Sequence, residues 1–309
     1  MSSMKRKFII NPSSASGNAR KKLREIQEYF QHHDGEFNFV ETVSRTDITV
    51  QTTRAIEEGF EQIVAVGGDG TVNAVANGFF NPEGNPIHRD ACLAVVPVGT
   101  GSDYFRTLSS NHSSSWQKII RNPKKIKADL GLVYPGPGRD KKTYFVNMAG
   151  VGISAEVAQL KSRVPKWIPK ELSYLTSTLT HLPQLQTFQA DILLDGQAYN
   201  SSLLGAFFSK GKYAGAGMKF GKEVELNDGQ FEVTLVPDLS AVEVLKNIPR
   251  LFNGTLDEVK GVIKARAKKI QFRAVRPIEC ETDGEPIGKT PIELEIAPQA
   301  LWVCASSTE

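Results

Sequence analysis

Three glycine-punctuated turns in the first third of the chain carry the residue types needed to hold a polyphosphate. Gly67-Gly68-Asp69-Gly70-Thr71-Val72-Asn73-Ala74 follows the apolar run Gln62 to Val66 and opens a segment, Val72 to Phe80, with helical spacing. Glycines at a strand end let backbone amides approach a ligand, and a helix start offers N–H groups and the positive end of its dipole. In such a turn Asp69 can hold Mg2+ while Thr71 bonds a phosphate oxygen. A tight turn with Asp69 as N-cap would use the same residues without any ligand. The pattern recurs, however. Pro97-Val98-Gly99-Thr100-Gly101-Ser102-Asp103 follows Cys92 to Val96, and Asn11-Pro12-Ser13-Ser14-Ala15-Ser16-Gly17 follows Phe8 to Ile10. Turns at the C-terminal edge of one open parallel sheet face a common crevice, where ligands of such sheets bind.

The elements that must position these turns alternate in the first 131 residues. Short, continuously apolar runs (Phe8 to Ile10, Phe37 to Val43, Gln62 to Val66, Cys92 to Val96) are separated by helical stretches at Ala19 to Phe30, Asp47 to Gly59 and Val72 to Phe80. That order predicts a parallel sheet covered on both faces. After Leu132 and the Pro135-Gly136-Pro137-Gly138 loop the texture changes to short strand-like runs: Tyr144 to Met148, Ala190 to Leu194, Leu203 to Ser209, Phe231 to Val236, Lys269 to Phe272 and Ile292 to Ile296. These predict an antiparallel sandwich interrupted by helices at Glu171 to Leu182 and Ala241 to Phe252. The expected domains are 1–131, α/β and nucleotide-binding, and 132–309, β-rich, with the C-terminal residues free to pack back on the first.

Composition sets the outer bounds. The chain has 309 residues, 40% of them hydrophobic and 23% charged, enough for two globular cores. A net charge of +3 gives no case for nucleic acid. Basic residues cluster at Lys118 to Lys127, Lys161 to Lys170 and Lys264 to Arg276, as a solvated face or as a patch resting on an anionic membrane surface. Cys92, Cys280 and Cys304 lack metal-ligand spacing, and Cys92 and Cys304 sit in apolar runs, which points to core positions and a reducing compartment. No signal h-region precedes Asn11-Pro12, and no run approaches the ~20 apolar residues of a membrane span. The expectation is a cytoplasmic protein.

Two other glycine patterns are set aside. Gly284-Glu285-Pro286-Ile287-Gly288-Lys289-Thr290 has three residues between its glycines where a P-loop needs four, and it leads into a strand. Gly150-Val151-Gly152-Ile153-Ser154-Ala155 fits a dinucleotide fingerprint but lies where the chain has become β-rich.

Taken in order, Asn11-Pro12, Gly67-Gly68-Asp69-Gly70-Thr71, Pro97 to Asp103 and Asp283-Gly284-Glu285 resemble the diacylglycerol kinase catalytic-domain family, which includes soluble bacterial lipid kinases and sphingosine and ceramide kinases. Tyr213-Ala214-Gly215-Ala216-Gly217-Met218 and Asn227-Asp228-Gly229 match its second domain, so the resemblance spans about residues 7 to 304. The glycine-rich Gly67 to Thr71 run alone is shared with NAD kinases and phosphofructokinase-like enzymes.

The resemblance implies an ATP site lined by Asn11 to Ala15, Thr42, Gly67 to Ala74 and Thr100, with Asp69 and Asp103 organising the phosphates and the catalytic magnesium. It also implies a structural magnesium held by Asp228 and the backbone carbonyls of Glu225 and Gln230. The general base would come from Asp283 or Glu285, with Glu285 preferred. The implied reaction is transfer of the γ-phosphoryl group of ATP to a lipid hydroxyl, diacylglycerol first, on a peripherally approached membrane. A sphingoid base or other long-chain alcohol is the alternative acceptor, and a homodimer is left open. A nucleotide-binding regulator without turnover is the alternative of another class. It is motivated by departures from the family pattern: Ala74 where a Glu is usual, Ser102 for Asn, Ala15 for Gly, and Ser16 and Asn18 where a Lys is frequent. The stretch Val164 to Leu185, with Trp167, Ile168, Leu172 and Tyr174 and flanking Lys161, Arg163, Lys166 and Lys170, is a candidate acyl pocket or an amphipathic helix on the sandwich.

Overall fold

The computed structural model describes residues 4–14, 18–34, 38–98, 102–109, 115–156 and 186–306. The chain divides into two units, Met1–Ala128 with Gln299–Glu309, and Asp129–Pro298.

In the first unit, β1 (Arg6–Ile10), β2 (Phe39–Glu41), β3 (Gln62–Gly67) and β4 (Cys92–Pro97) alternate with α1 (Asn18–Asp34), α2 (Arg45–Glu57) and α3 (Asp69–Asn77). Two short helices follow, α4 (Asp103–Leu108) and α5 (Trp116–Arg121). The strands pair in parallel with β1 between β2 and β3, and β3 beside β4. All six residues of β3 are buried, which is why the run is apolar without alternation: helices cover both faces. Phe8, Phe30, Val64, Val96 and Trp116 share one core, with the Phe8 and Phe30 ring centroids 5.0 Å apart. Each such side chain, fully buried, contributes about 1.5–3 kcal/mol. Cys92 and Cys304 belong to this core, their sulfurs 3.5 Å apart.

The expected strand 37–43 shortens to Phe39–Glu41 because Thr42 turns back: its N–H and its hydroxyl both donate to the Ile10 carbonyl. The helix expected from Val72 starts earlier, at Asp69, because Gly68 supplies the carbonyl that accepts the first turn's N–H groups from Thr71 and Val72.

The second unit is an antiparallel β-sandwich. Strand β5 (Lys124–Pro135) enters it and pairs with β6 (Thr143–Phe145). The sandwich continues through β7 (Met148–Gly152), β8 (Phe188–Leu194), β9 (Gln197–Ser209) and β10 (Phe231–Pro237). After helix α6 (Ala241–Asn253) come β11 (Ile263–Ala267), β12 (Lys269–Ala274), β13 (Glu279–Thr282), β14 (Glu285–Lys289) and β15 (Ile292–Ala305). The pairing order is β14-β13-β7-β9-β8-β12-β15, with β10 joining β9 to β11. Residues of β8 alternate buried and exposed, as expected of a sheet with one covered face. The last strand is longer than expected: its first half pairs with β12, and its end, in the first unit, pairs in parallel with β4 through Trp302↔Cys92.

One expected strand, Tyr144 to Met148, divides into β6 and β7, because the intervening N–H groups of Val146 and Asn147 donate to the Asp283 carboxylate instead of to a ladder. The helix expected at Glu171 to Leu182, and with it the whole candidate acyl stretch Val164 to Leu185, lies outside the described residues. Among those described, no helix is long and apolar enough to cross a membrane.

Candidate active site

The three turns of the first unit are joined by side chains. Asn11 follows β1, and its Nδ2 donates to Thr71 Oγ1 at 3.1 Å while its Oδ1 accepts the Ser13 N–H at 3.1 Å. Ser14 Oγ lies 3.5 Å from the same Thr71 oxygen. Gly67 must be glycine here: a Cβ would stand 2.3 Å from Thr71 Oγ1. Gly68 is the N-cap of α3 and has no side chain with which to cap it, and among the described residues no atom beyond its chain neighbours lies within 4 Å of where its Cβ would be. An uncapped helix start facing open space suits an anion. Gly68, Asp69 and Gly70 are half-buried, while Thr71, Val72, Asn73 and Ala74 are buried.

Asp69 binds the second turn to the third. Its Oδ2 accepts the Asp103 N–H at 3.1 Å and its Oδ1 the Tyr104 N–H at 2.9 Å, so it caps α4. Asp103 is itself buried, with 3% exposure. Both are hard oxygen donors of the kind Mg2+ takes. Ser102, just before α4, holds a left-handed conformation, φ 38 and ψ 47, that Asn or Gly adopts at less cost than Ser. Arg45 of α2, which sequence reasoning passed over, donates to the Gly70 carbonyl at 3.1 Å and to Asn73 Oδ1, gripping the first turn of α3. Thr42 lies at the end of β2 with its hydroxyl on Ile10 O. Ala15 and Thr100 lie outside the described residues.

In the second unit Asp283 and Gly284 form the tip of the β13–β14 hairpin, both at positive φ, 49 and 83, with Thr282 paired to Glu285. Asp-Gly with two positive φ values is a type I′ turn, the favoured two-residue hairpin connection. Asp283 Oδ2 accepts the Val146 N–H at 2.9 Å, and Oδ1 accepts those of Asn147 at 3.0 Å and Met148 at 2.9 Å. Asp283 therefore anchors the turn, and Glu285, two residues on, is half-buried. A third acid, Glu281, went unnoticed: its Oε2 accepts the Gly284 N–H at 2.7 Å. Burial pushes the Glu281 carboxyl up to about 8, helped by the negative charges of Asp283 and Glu285.

The oxygens expected to hold a structural magnesium face a lysine. Lys210 Nζ lies 2.7 Å from Asp228 Oδ1, 2.9 Å from Glu225 O, 3.1 Å from Gln230 O and 3.3 Å from Asp129 Oδ2. An ammonium and a Mg2+ that needs the same oxygens at about 2.1 Å cannot share this space. With Lys210 so placed, these residues do not fit the metal. Lys210 directly follows the apolar end of β9, and Asp129 sits between Ala128 and Leu130 in β5; a charged residue in or adjoining an apolar run was the available signal.

Two family descriptions match the chain. Residues 5–133 match “Diacylglycerol kinase catalytic domain” and residues 147–305 match “YegS C-terminal NAD kinase beta sandwich-like domain”. The chain belongs to the diacylglycerol kinase catalytic-domain family. Family membership makes it a kinase. It is similar to the diacylglycerol kinase of Bacillus subtilis (strain 168), 25% identical over 293 residues that cover 94% of this chain and 93% of that one. It is also similar to that of Staphylococcus carnosus (strain TM300), 24% identical over 286 residues, 92% of this chain and 90% of that one. A crystal structure of a diacylglycerol kinase from Bacillus anthracis str. Sterne superposes with TM-score 0.73 at 21% identity, covering 99% of this chain and 98% of the other. That likeness shows the fold.

Proposed function

We propose that this kinase transfers the γ-phosphoryl group of ATP to a lipid hydroxyl, with diacylglycerol as acceptor and phosphatidic acid as product. The observation that carries the proposal is the junction of Asn11, Ser14 and Thr71 at the uncapped start of α3, an anion cradle built from two strand ends. The N–H groups of that helix start would hold phosphate oxygens, and Asp69 and Asp103 would hold Mg2+. When bound, Mg2+ neutralises charge on the transferring phosphoryl group. Positioning and charge neutralisation supply most of the barrier reduction in phosphoryl transfer, which asks little covalent chemistry of the protein.

The acceptor hydroxyl attacks the γ-phosphorus, the bond to the bridging oxygen of ADP breaks, and the hydroxyl proton passes to a carboxylate. We assign that proton to Glu285, because Asp283 is committed to three backbone N–H groups.

A lipid acceptor is supported by α6. Its exposed residues Val242, Leu245, Pro249 and Phe252 fall at i, i+3, i+7 and i+10, one stripe of the helix, and none of its residues is buried. Lys246 is exposed on the same helix, and Arg250 pairs with Glu258 beside it. An apolar stripe with adjacent cations is the pattern of a helix that lies in an anionic membrane surface.

The test is radiolabelled ATP with the purified protein and a panel of diacylglycerol, sphingoid base, long-chain alcohol and soluble alcohols in mixed micelles. Labelled phosphatidic acid is expected. Label only in a sphingoid phosphate would move the acceptor. Nucleotide binding with no labelled product would favour the regulator, whose motive is Ala74: it is buried on α3, where the family pattern has a carboxylate.

A further inference from the structure

We propose that Lys210 is a built-in replacement for a divalent cation, so that the second unit closes its Glu225–Gln230 loop without metal. Two carboxylates and two backbone carbonyls surround one point, which is the donor set of a hard-cation site. The Lys210 side chain occupies that point with no exposure at all. An ammonium has three donors and no acceptor, so each of its protons finds an oxygen here.

The loop is drawn in around it. The Gly229 N–H donates to Asp129 Oδ2 at 2.7 Å, the Gln230 N–H to Asp228 Oδ1 at 3.2 Å, and the Asp129 N–H to the Leu226 carbonyl at 2.7 Å. Lys210 is fixed at its root as well, its N–H donating to Asn147 O at 2.7 Å. Much of the negative charge is also met. Arg266 Nη1 stands 4.0 Å from Asp228 Oδ2 and its Nη2 3.7 Å from Glu223 Oε2, so Lys210 supplies one full positive charge between Asp129 and Asp228 and Arg266 shares a second with Glu223. A buried ammonium without partners would be strongly unfavourable, and every partner it needs is present. The lysine rotamer therefore uses up the site. The inference concerns the second unit's own fold and holds whichever alcohol accepts the phosphate.

The experiment melts the full-length protein without nucleotide, in EDTA and across millimolar Mg2+ and Ca2+. For the unmodified protein the melting temperature is expected to stay flat. Lys210→Ala is expected to melt about 5–10 °C lower in EDTA, since the buried Asp129 and the partly buried Asp228 lose their cation. It should regain that loss as divalent cation is added, with the concentration dependence of ligand binding to the folded state. Lys210→Met, which fills the space with an apolar chain, should lose stability and not regain it.

Two results overturn the proposal. One is a Lys210→Ala protein whose melting ignores divalent cations. The other is a Mg2+-dependent rise in the unmodified protein that survives Asp69→Asn and disappears in Asp228→Asn. Should Lys210→Ala fail to fold, the second comparison decides alone: a flat melting temperature supports the replacement and a rise of that kind refutes it.

Discussion

Asp283 Oδ1 accepts the Met148 N–H at 2.9 Å, and the Asp283 N–H donates back to the Met148 carbonyl at 2.8 Å. This reciprocal pair ties the hairpin tip to the start of β7. It separates two acids that lie two residues apart in sequence. Asp283→Asn puts an amide N–H against backbone N–H donors, so it should cost about 2–3 kcal/mol of stability through lost charge-assisted bonds. Glu285→Gln should leave stability within about 0.5 kcal/mol and lower kcat by about 10²–10⁴-fold. Chemical denaturation and steady-state kinetics read both. Normal turnover by Glu285→Gln would remove it as the base.

Glu281 gives a pH dependence of definite sign. Its carboxyl has an ordinary value of 4.5 and is raised to about 8 in the fold, chiefly by desolvation. A carboxyl that binds its proton more tightly when folded stabilises fully below the ordinary value, and that contribution is lost as pH rises toward the folded value. Stability from this group should fall from about pH 4.5 to about pH 8 and then level, by an amount on the order of a few kcal/mol. Glu281→Gln keeps a neutral acceptor for the Gly284 N–H and removes the titration. Its denaturation midpoint should fall less across that range than that of the unmodified protein and exceed it at the alkaline end. Parallel curves for the two proteins would assign the dependence elsewhere.

The α/β order of the first unit was legible because its strands are continuous apolar runs, and two of the three turns that it positions, after β1 and β3, are placed where those runs end. Boundaries slipped where side chains compete with the ladder. Thr42 ends β2 by bonding Ile10 O, and Asp283 splits an expected strand by taking the Val146 and Asn147 N–H groups from 136 and more residues away. Contacts of that range leave no local signature. The same holds for Lys210 and Asp129, 81 residues apart, which meet only once β5 and β9 are folded. A motif could name the oxygens of Glu225, Asp228 and Gln230. It could not say that a lysine would fill the space among them.

Ser102 carries strain that can be relieved. It holds φ 38 at the start of α4, and its hydroxyl is buried with no hydrogen-bond partner among the described residues. Glycine enters that conformation without the Cβ clash, so Ser102→Gly should raise stability by about 0.5–1 kcal/mol despite the extra freedom it gives the unfolded chain. Differential scanning calorimetry should show an increase of about 1–3 °C. A decrease would mean that Ser102 makes a native contact worth more than its strain.

The membrane contact proposed for α6 can be tested apart from nucleotide chemistry. Val242, Leu245 and Phe252 are 59%, 45% and 40% exposed, and nothing in their own helix requires them to be apolar. Their combined replacement, Val242→Ser, Leu245→Ser and Phe252→Ser, should lower melting by only a few degrees and leave ATP affinity in solution unchanged, because none of the three belongs to a core cluster. Sedimentation with anionic phospholipid vesicles should weaken by about 10–100-fold, the loss expected when three partly inserted side chains stop entering the interface. Lys246→Glu should weaken it further at low salt, and the difference should shrink as salt rises, since screening acts on that charge and not on the stripe. If the triple variant still sediments like the unmodified protein while Lys246→Glu does not, attraction to the surface is electrostatic and the stripe serves some other contact. If neither changes, α6 does not face the membrane, and the support it lends to the proposed lipid acceptor is lost.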